Sequence, residues 1–168
     1  MKAIWTIPSV LIIMITFFCY KGLYINQKVL NSTMIGQRLA DDYLPTLSKT
    51  KVSIGKIKGP FVLNVFASWC PACKYEHGFW ALQTKYKVIG LAYKDDTSEL
   101  TNWLELYGNP YKQVILDQSG EYALKMGVYG TPETFLISAS GVVLYRHVGP
   151  INQSIWNTKF LPILRKGI

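Results

Sequence analysis

The sequence predicts an α/β fold in which a central mixed sheet carries helices on both faces. Three observations predict it. Phe61 to Ala67 is an apolar run of strand character that empties into Trp69-Cys70 and at once into a helical pattern. Val88 to Tyr93 is a second continuous apolar run, of the kind shown by a parallel strand covered on both faces. From Phe61 onward, apolar runs and helical periods give the order β-α-β-α-β-α-β-β-α.

The elements follow in chain order. Leu39 to Lys58 mixes Pro45, Gly55 and several serines and threonines with isolated hydrophobes, which predicts an extended entry segment and a short edge strand near Val52 to Ile57. Lys58-Gly59-Pro60 punctuates the chain before the central strand. In the helix after Cys70, Tyr75, Phe79, Leu82 and Tyr86 recur on one face. Beyond the second strand, Asp96 is placed to cap a helix and Glu99 to answer it. Leu100, Trp103, Leu104 and Tyr107 then share a face, and Gly108-Asn109-Pro110 ends that helix. Val114-Ile115-Leu116 reads as a short buried strand, Asp117-Gln118-Ser119-Gly120 as a turn, and Glu121 to Met126 as a helix. Thr134 to Ile137 and Val142 to His147 form a hairpin around Ser138 to Gly141. Ile151, Ile155, Trp156, Phe160 and Ile163-Leu164 give a closing amphipathic helix, kinked or divided at Pro162. The ligand site of such a sheet is expected beyond the carboxyl ends of its parallel strands, where Cys70 emerges.

That position has chemical consequences. Unpaired N–H groups and the positive end of the helix dipole favour an anion at the sulfur of Cys70, so its thiol should ionise more readily than a free cysteine. Cys73 lies within one helical turn and can close a disulfide with Cys70, and Pro71 is tolerated because its missing N–H would be unbonded at a helix start. A zinc site would need two further ligands at suitable spacing. The remaining cysteine, Cys19, sits in an apolar segment, and His77 and His147 do not form a second pair. A purely structural bridge is the other alternative, but one closing so short a loop adds little chain-entropy stabilisation.

At 168 residues and 49% hydrophobic content the chain can build one core. The net charge of +8 comes from scattered lysines and arginines, which argues for a solvated basic surface and against nucleic acid as a partner. No charge falls between Lys2 and Lys21, and about 18 such residues can just span a bilayer. No Ala-x-Ala-like cleavage site follows. The expected organisation is an uncleaved anchor over 1–20, a tether over 21–38 and a globular domain over 39–168. Cys19 is then a small apolar residue of the anchor.

Trp69-Cys70-Pro71-Ala72-Cys73 between a strand and a helix resembles the active site of the thioredoxin superfamily. The runs Asn64 to His77, Tyr93 to Asp96, Gly108 to Tyr111, Gly127 to Ile137 and Tyr145 to His147 resemble the CcmG/DsbE family, membrane-anchored thiol:disulfide interchange proteins of cytochrome c maturation. The resemblance implies a thioredoxin-like fold preceded by one N-terminal transmembrane helix. Cys70 would be the exposed nucleophile and Cys73 the resolving thiol. Thr131-Pro132 would be a cis-proline turn facing the disulfide, and Trp69 and Pro71 would join it in binding substrate. Glu76 and Glu133 would stand beside the cysteines and tune how reducing the pair is, although spacing alone makes Glu76 a solvated helix residue.

The implied activity is reduction of disulfides in apocytochrome c or a haem-lyase partner, with a DsbD-type membrane protein as electron donor. The implied location is the inner membrane, single-pass, with the domain facing the periplasm. Neither metal nor organic cofactor is required, and the alternative is a module that holds apocytochrome without redox turnover. Asp41-Asp42-Tyr43 departs from the family's Pro-x-Phe, and Ser138 stands where an Asp is common.

Overall fold

The computed structural model describes residues 6–23 and 34–165, and the chain divides into two units, Met1–Asn31 and Ser32–Ile168. In the first unit, α1 (Thr6–Leu23) exposes its side chains from Pro8 to Lys21. Among the described residues no helix is long and apolar enough to cross a membrane. The expected anchor and tether also include residues 1–5 and 24–33, which lie outside the described residues.

In the second unit, β1 (Tyr43–Pro45) and β2 (Lys51–Ser53) form a small antiparallel pair. The main sheet holds β3 (Phe61–Phe66), β4 (Val88–Tyr93), β5 (Gln113–Asp117), β6 (Glu133–Ile137) and β7 (Val143–Val148) in the order β5-β4-β3-β6-β7. The first three are parallel, and β6 and β7 run against their neighbours. Every residue of β3 is buried, as a central strand covered on both faces requires.

Its alternating side chains feed two cores. Val62 and Phe66 pack with Cys73 and Trp80 of α2 (Pro71–Ala81), Leu100 and Leu104 of α3 (Thr97–Tyr107), and Trp156 and Phe160 of the closing helical segment. Phe61, Leu63 and Val65 pack on the other face with Tyr122 and Ala123 of α4 (Glu121–Lys125) and with Leu39 and Ile54. The β3-α2-β4 and β4-α3-β5 crossovers move the chain the same way across the sheet, which puts both helices on one face.

One expectation needs correction. The buried face of α2 is Cys73, Glu76, His77 and Trp80, while Tyr75 and Leu82 are 79% and 76% exposed. An i, i+3, i+4, i+7 stripe of mixed polarity won over the purely apolar one because its polar members find partners inside. The folded unit also engages the chain ahead of Leu39. The Gly36 N–H donates to the Val143 carbonyl (2.8 Å) and the Val143 N–H to the Gln37 carbonyl (2.9 Å), which covers the edge of β7. The closing segment is interrupted before Pro162: α5 (Gln153–Ile155) passes through a π turn (Trp156–Phe160) into α6 (Leu161–Arg165). A proline cannot donate to the preceding turn, and the wider turn accommodates that loss.

The Asp96 side chain caps α3 by accepting from the Ser98 (2.8 Å) and Glu99 (3.1 Å) N–H groups. At the hairpin tip Ser138 does the work of an acidic residue, its Oγ accepting the Val142 N–H at 3.0 Å.

Candidate active site

β3 ends at Phe66, and four residues later Cys70 is the N-cap of α2. Its Sγ accepts the Cys73 N–H at 3.1 Å and lies 3.5 Å from the Thr131 carbonyl oxygen. Cys70 and Cys73 are joined in a disulfide, with Cα atoms 5.3 Å apart. The Thr131-Pro132 bond is cis, and it sets the Thr131 carbonyl against the sulfur. Cys70 was expected to be exposed, yet only 4% of it is, because the first turn of α2 and the Thr131 carbonyl cover the sulfur from two sides. Exposure belongs to its neighbours: Trp69 is 54% exposed and Pro71 is exposed.

The loop that delivers Cys70 is tied down. The Asp95 carboxylate, itself buried, accepts from the Ser68 N–H and the Ser68 hydroxyl, each at 2.6 Å. The Trp69 indole N–H donates to the Lys94 carbonyl at 3.1 Å. Asp95→Ala should leave both Ser68 donors without their acceptor and lower stability by about 1–3 kcal/mol. Urea unfolding at neutral pH measures this, and an unchanged midpoint would refute the tie.

Behind Cys73, Glu76 is 1% exposed. Its Oε1 accepts from Asn64 Nδ2 (2.7 Å) and Trp80 Nε1 (3.0 Å), and its Oε2 from the Ile151 N–H (2.8 Å). Asn64 Oδ1 in turn accepts the Tyr111 hydroxyl at 2.8 Å. Burial raises the Glu76 carboxyl to about 7, although all three donors favour its charged form. The spacing-based reading of a solvated Glu76 is therefore wrong, and the side chain sits half-protonated near neutral pH inside the core.

The linkage has a definite sign. A carboxyl raised from 4.5 to about 7 on folding favours the native state below pH 4.5, and that contribution, roughly 3 kcal/mol, is lost as pH rises through 7. Burial lowers His77 and His147, which slope the other way, so the useful quantity is the difference from Glu76→Gln. Between pH 4.5 and 8 the wild type should lose stability relative to that variant. Parallel curves would contradict the assignment.

Glu133 is fully buried on the opposite face of the sheet, in register with Val65, whereas Glu76 meets Asn64 on the face that holds the cysteines. Its Oε2 accepts from Arg146 Nε at 2.7 Å, with Nη2 of the same guanidinium also at 2.7 Å, and its Oε1 from the Tyr129 N–H at 3.2 Å. Burial pushes this carboxyl up, and the Tyr129 N–H and Arg146 pull it back down. With both side chains almost wholly out of solvent and in direct contact, we regard the pair as ionised at neutral pH. Arg146 also donates to the Gly127 carbonyl (2.8 Å) and lies 5.1 Å from the Tyr129 ring centroid. Glu133 thus fixes the 127–132 segment that presents Thr131, and its charge is not free to oppose a thiolate.

Residues 30–159 match the Redoxin family. A thiol:disulfide interchange protein DsbE of Pasteurella multocida (strain Pm70) is 40% identical over 144 residues, 83% of this chain and 80% of the relative. The chain belongs to the DsbE family. A DsbE of Haemophilus influenzae is 38% identical over the same length, with the same coverage of both chains. The crystal structure of a Chlorobium tepidum protein assigned to DsbE is 26% identical, has a TM-score of 0.66, and covers 78% of this chain and 96% of its own. Membership makes the chain a thioredoxin-like thiol:disulfide oxidoreductase.

In this DsbE chain, four residues of the site went unassigned at the sequence level. Asn64 and Arg146 each carried a signal: one is the polar residue in an otherwise apolar strand, the other a charge on a strand of the hairpin. Arg146 pairs with Phe135 across β6 and β7, one diagonal step from Glu133 on the same face. Trp80 and Asp95 gave no local signal, since Trp80 reads as core and Asp95 as a turn residue. Among the described residues, no three His, Cys, Asp or Glu side chains gather into a metal site.

Proposed function

We propose that this DsbE chain is a membrane-anchored, periplasmic reductant of cytochrome c maturation. The observation that carries the redox reading is the bond from the Cys73 N–H to Cys70 Sγ. A backbone donor aimed at that sulfur stabilises negative charge on it once the pair is reduced.

Cys70 thiolate then attacks one sulfur of a substrate disulfide, forming a mixed disulfide and releasing the other substrate sulfur as a thiolate. Cys73 loses its proton and attacks Cys70 Sγ, which expels the second substrate thiol and re-forms Cys70–Cys73. Two electrons pass from the dithiol to the substrate. Glu76, one helical turn beyond Cys73, takes the proton from Cys73 and returns it. Trp69, Pro71, Thr131 and Pro132 receive the substrate peptide, with Thr131 backbone groups available to pair with it. Arg146 holds Glu133, and through it the proline turn.

The sequence runs that match the family support apocytochrome c or a haem-lyase thiol component as the substrate and a DsbD-type protein as the electron donor. Anchoring rests on the charge-free stretch between Lys2 and Lys21, of which α1 exposes Val10 to Phe18. Cys73→Ala, produced in cells that make c-type cytochromes, should accumulate mixed disulfides through Cys70. Mass identification of apocytochrome c or a haem-lyase component among them supports the reading, and capture of unrelated proteins alone overturns the substrate assignment.

A further inference from the structure

The two ends of the main sheet differ in chemistry. Cys70 emerges beyond the carboxyl end of β3, whereas Phe61 pairs with Ile137, and Ile137 with Val143, at the amino end. The chain enters the domain at this second pole, where Gly36 bonds to Val143. Here, too, α2 runs out into residues 82–87 and the closing segment ends at Arg165.

Between them lies a groove of about 510 Å³ whose walls include Lys85, Lys87, Arg165, Tyr86, Leu161 and Leu164. The three cations are exposed, and Lys58, exposed too, stands two residues before Pro60 of the groove wall. Among the described residues the only ion pairs are Lys125–Asp42 and Arg146–Glu133, both elsewhere. Glu76, Asp95, Asp117 and Glu133 are buried, so the surface is more basic than the net +8 suggests.

We propose that this pole is a docking surface for anionic phospholipid headgroups of the bilayer in which the chain is anchored, an inference that rests on the anchoring proposed above. Cations on flexible stems around an apolar floor fit a headgroup layer, where the stems pack on apolar surface and the charges meet phosphates. Entry of the chain at the same pole fits as well. Docking here would turn Cys70 away from the lipid, toward soluble partners.

The test uses the full chain reconstituted into phosphatidylcholine vesicles and into phosphatidylcholine–phosphatidylglycerol vesicles, with lysine acetylation rates read by mass. Lys58, Lys85 and Lys87 should react about threefold or more slowly in the anionic vesicles, with recovery at high salt, while Lys74 and Lys94 near the disulfide stay unchanged. Lys85→Glu/Lys87→Glu should abolish the slowing at Lys58 and leave insulin reduction intact. Equal rates in both vesicles, slowing at Lys74 and Lys94, or the same slowing from inorganic phosphate with neutral vesicles would each overturn the proposal. Flotation separates the two readings. A chain that floats only with anionic vesicles keeps the pole and loses the anchor, and one that floats with neither loses both.

Discussion

Cys70→Ala should reduce insulin no faster than the buffer dithiol alone, and Cys73→Ala should stop after one step with substrate attached. The asymmetry follows from what surrounds each sulfur. Cys70 Sγ receives the Cys73 N–H and lies beside exposed Trp69 and Pro71, on the side of the pair nearer to solvent-facing residues. Cys73 is backed by Glu76, Trp80 and the core. Removing the attacking sulfur leaves no path to a mixed disulfide, whereas removing the resolving one leaves the mixed disulfide with no internal thiol to break it. Gel-resolved adducts with insulin decide the matter. Adducts formed by Cys70→Ala would reverse the roles.

Arg146→Met should cost about 3–5 kcal/mol, a large share of a total stability that is usually 5–15 kcal/mol. The loss comes from stranding the Glu133 carboxylate, which has no solvent to turn to and keeps only the backbone N–H groups of Tyr129, at 3.2 Å, and Gly130. Because the stranded group can bind a proton, the penalty should shrink as pH falls toward 5. Glu133→Gln/Arg146→Met should recover much of the loss, since replacing both partners removes the unpaired charge. Guanidinium unfolding of the three proteins at two pH values measures each quantity. A single-variant penalty below 1 kcal/mol would mean that the pair is not buried and ionised.

The succession of strands and helices, the helix after Cys70 and the disulfide pair were legible in the sequence because each rests on local pattern: continuous apolar runs, a proline at a helix start, and cysteines one turn apart. Burial of Glu76 was not. Its three donors come from β3, from α2 and from the loop before α5, so its environment exists only after residues 64 and 151 meet. The same non-locality misassigned the buried face of α2, where Tyr75 and Leu82 look apolar but face solvent. Glu133 was expected beside Cys70 from its place after the proline. Strand alternation instead turns it to the other face, and its partner Arg146 lies 13 residues on.

The central claim is that the start of α2 makes Cys70 the reactive sulfur. Pulse alkylation of the reduced chain with iodoacetamide at pH 6, mapped by mass, tests it most directly. A donor bond worth about 1.5 kcal/mol or more to a charged sulfur predicts Cys70 modified at least about tenfold faster than Cys73. Equal rates, or Cys73 reacting first, would contradict the account.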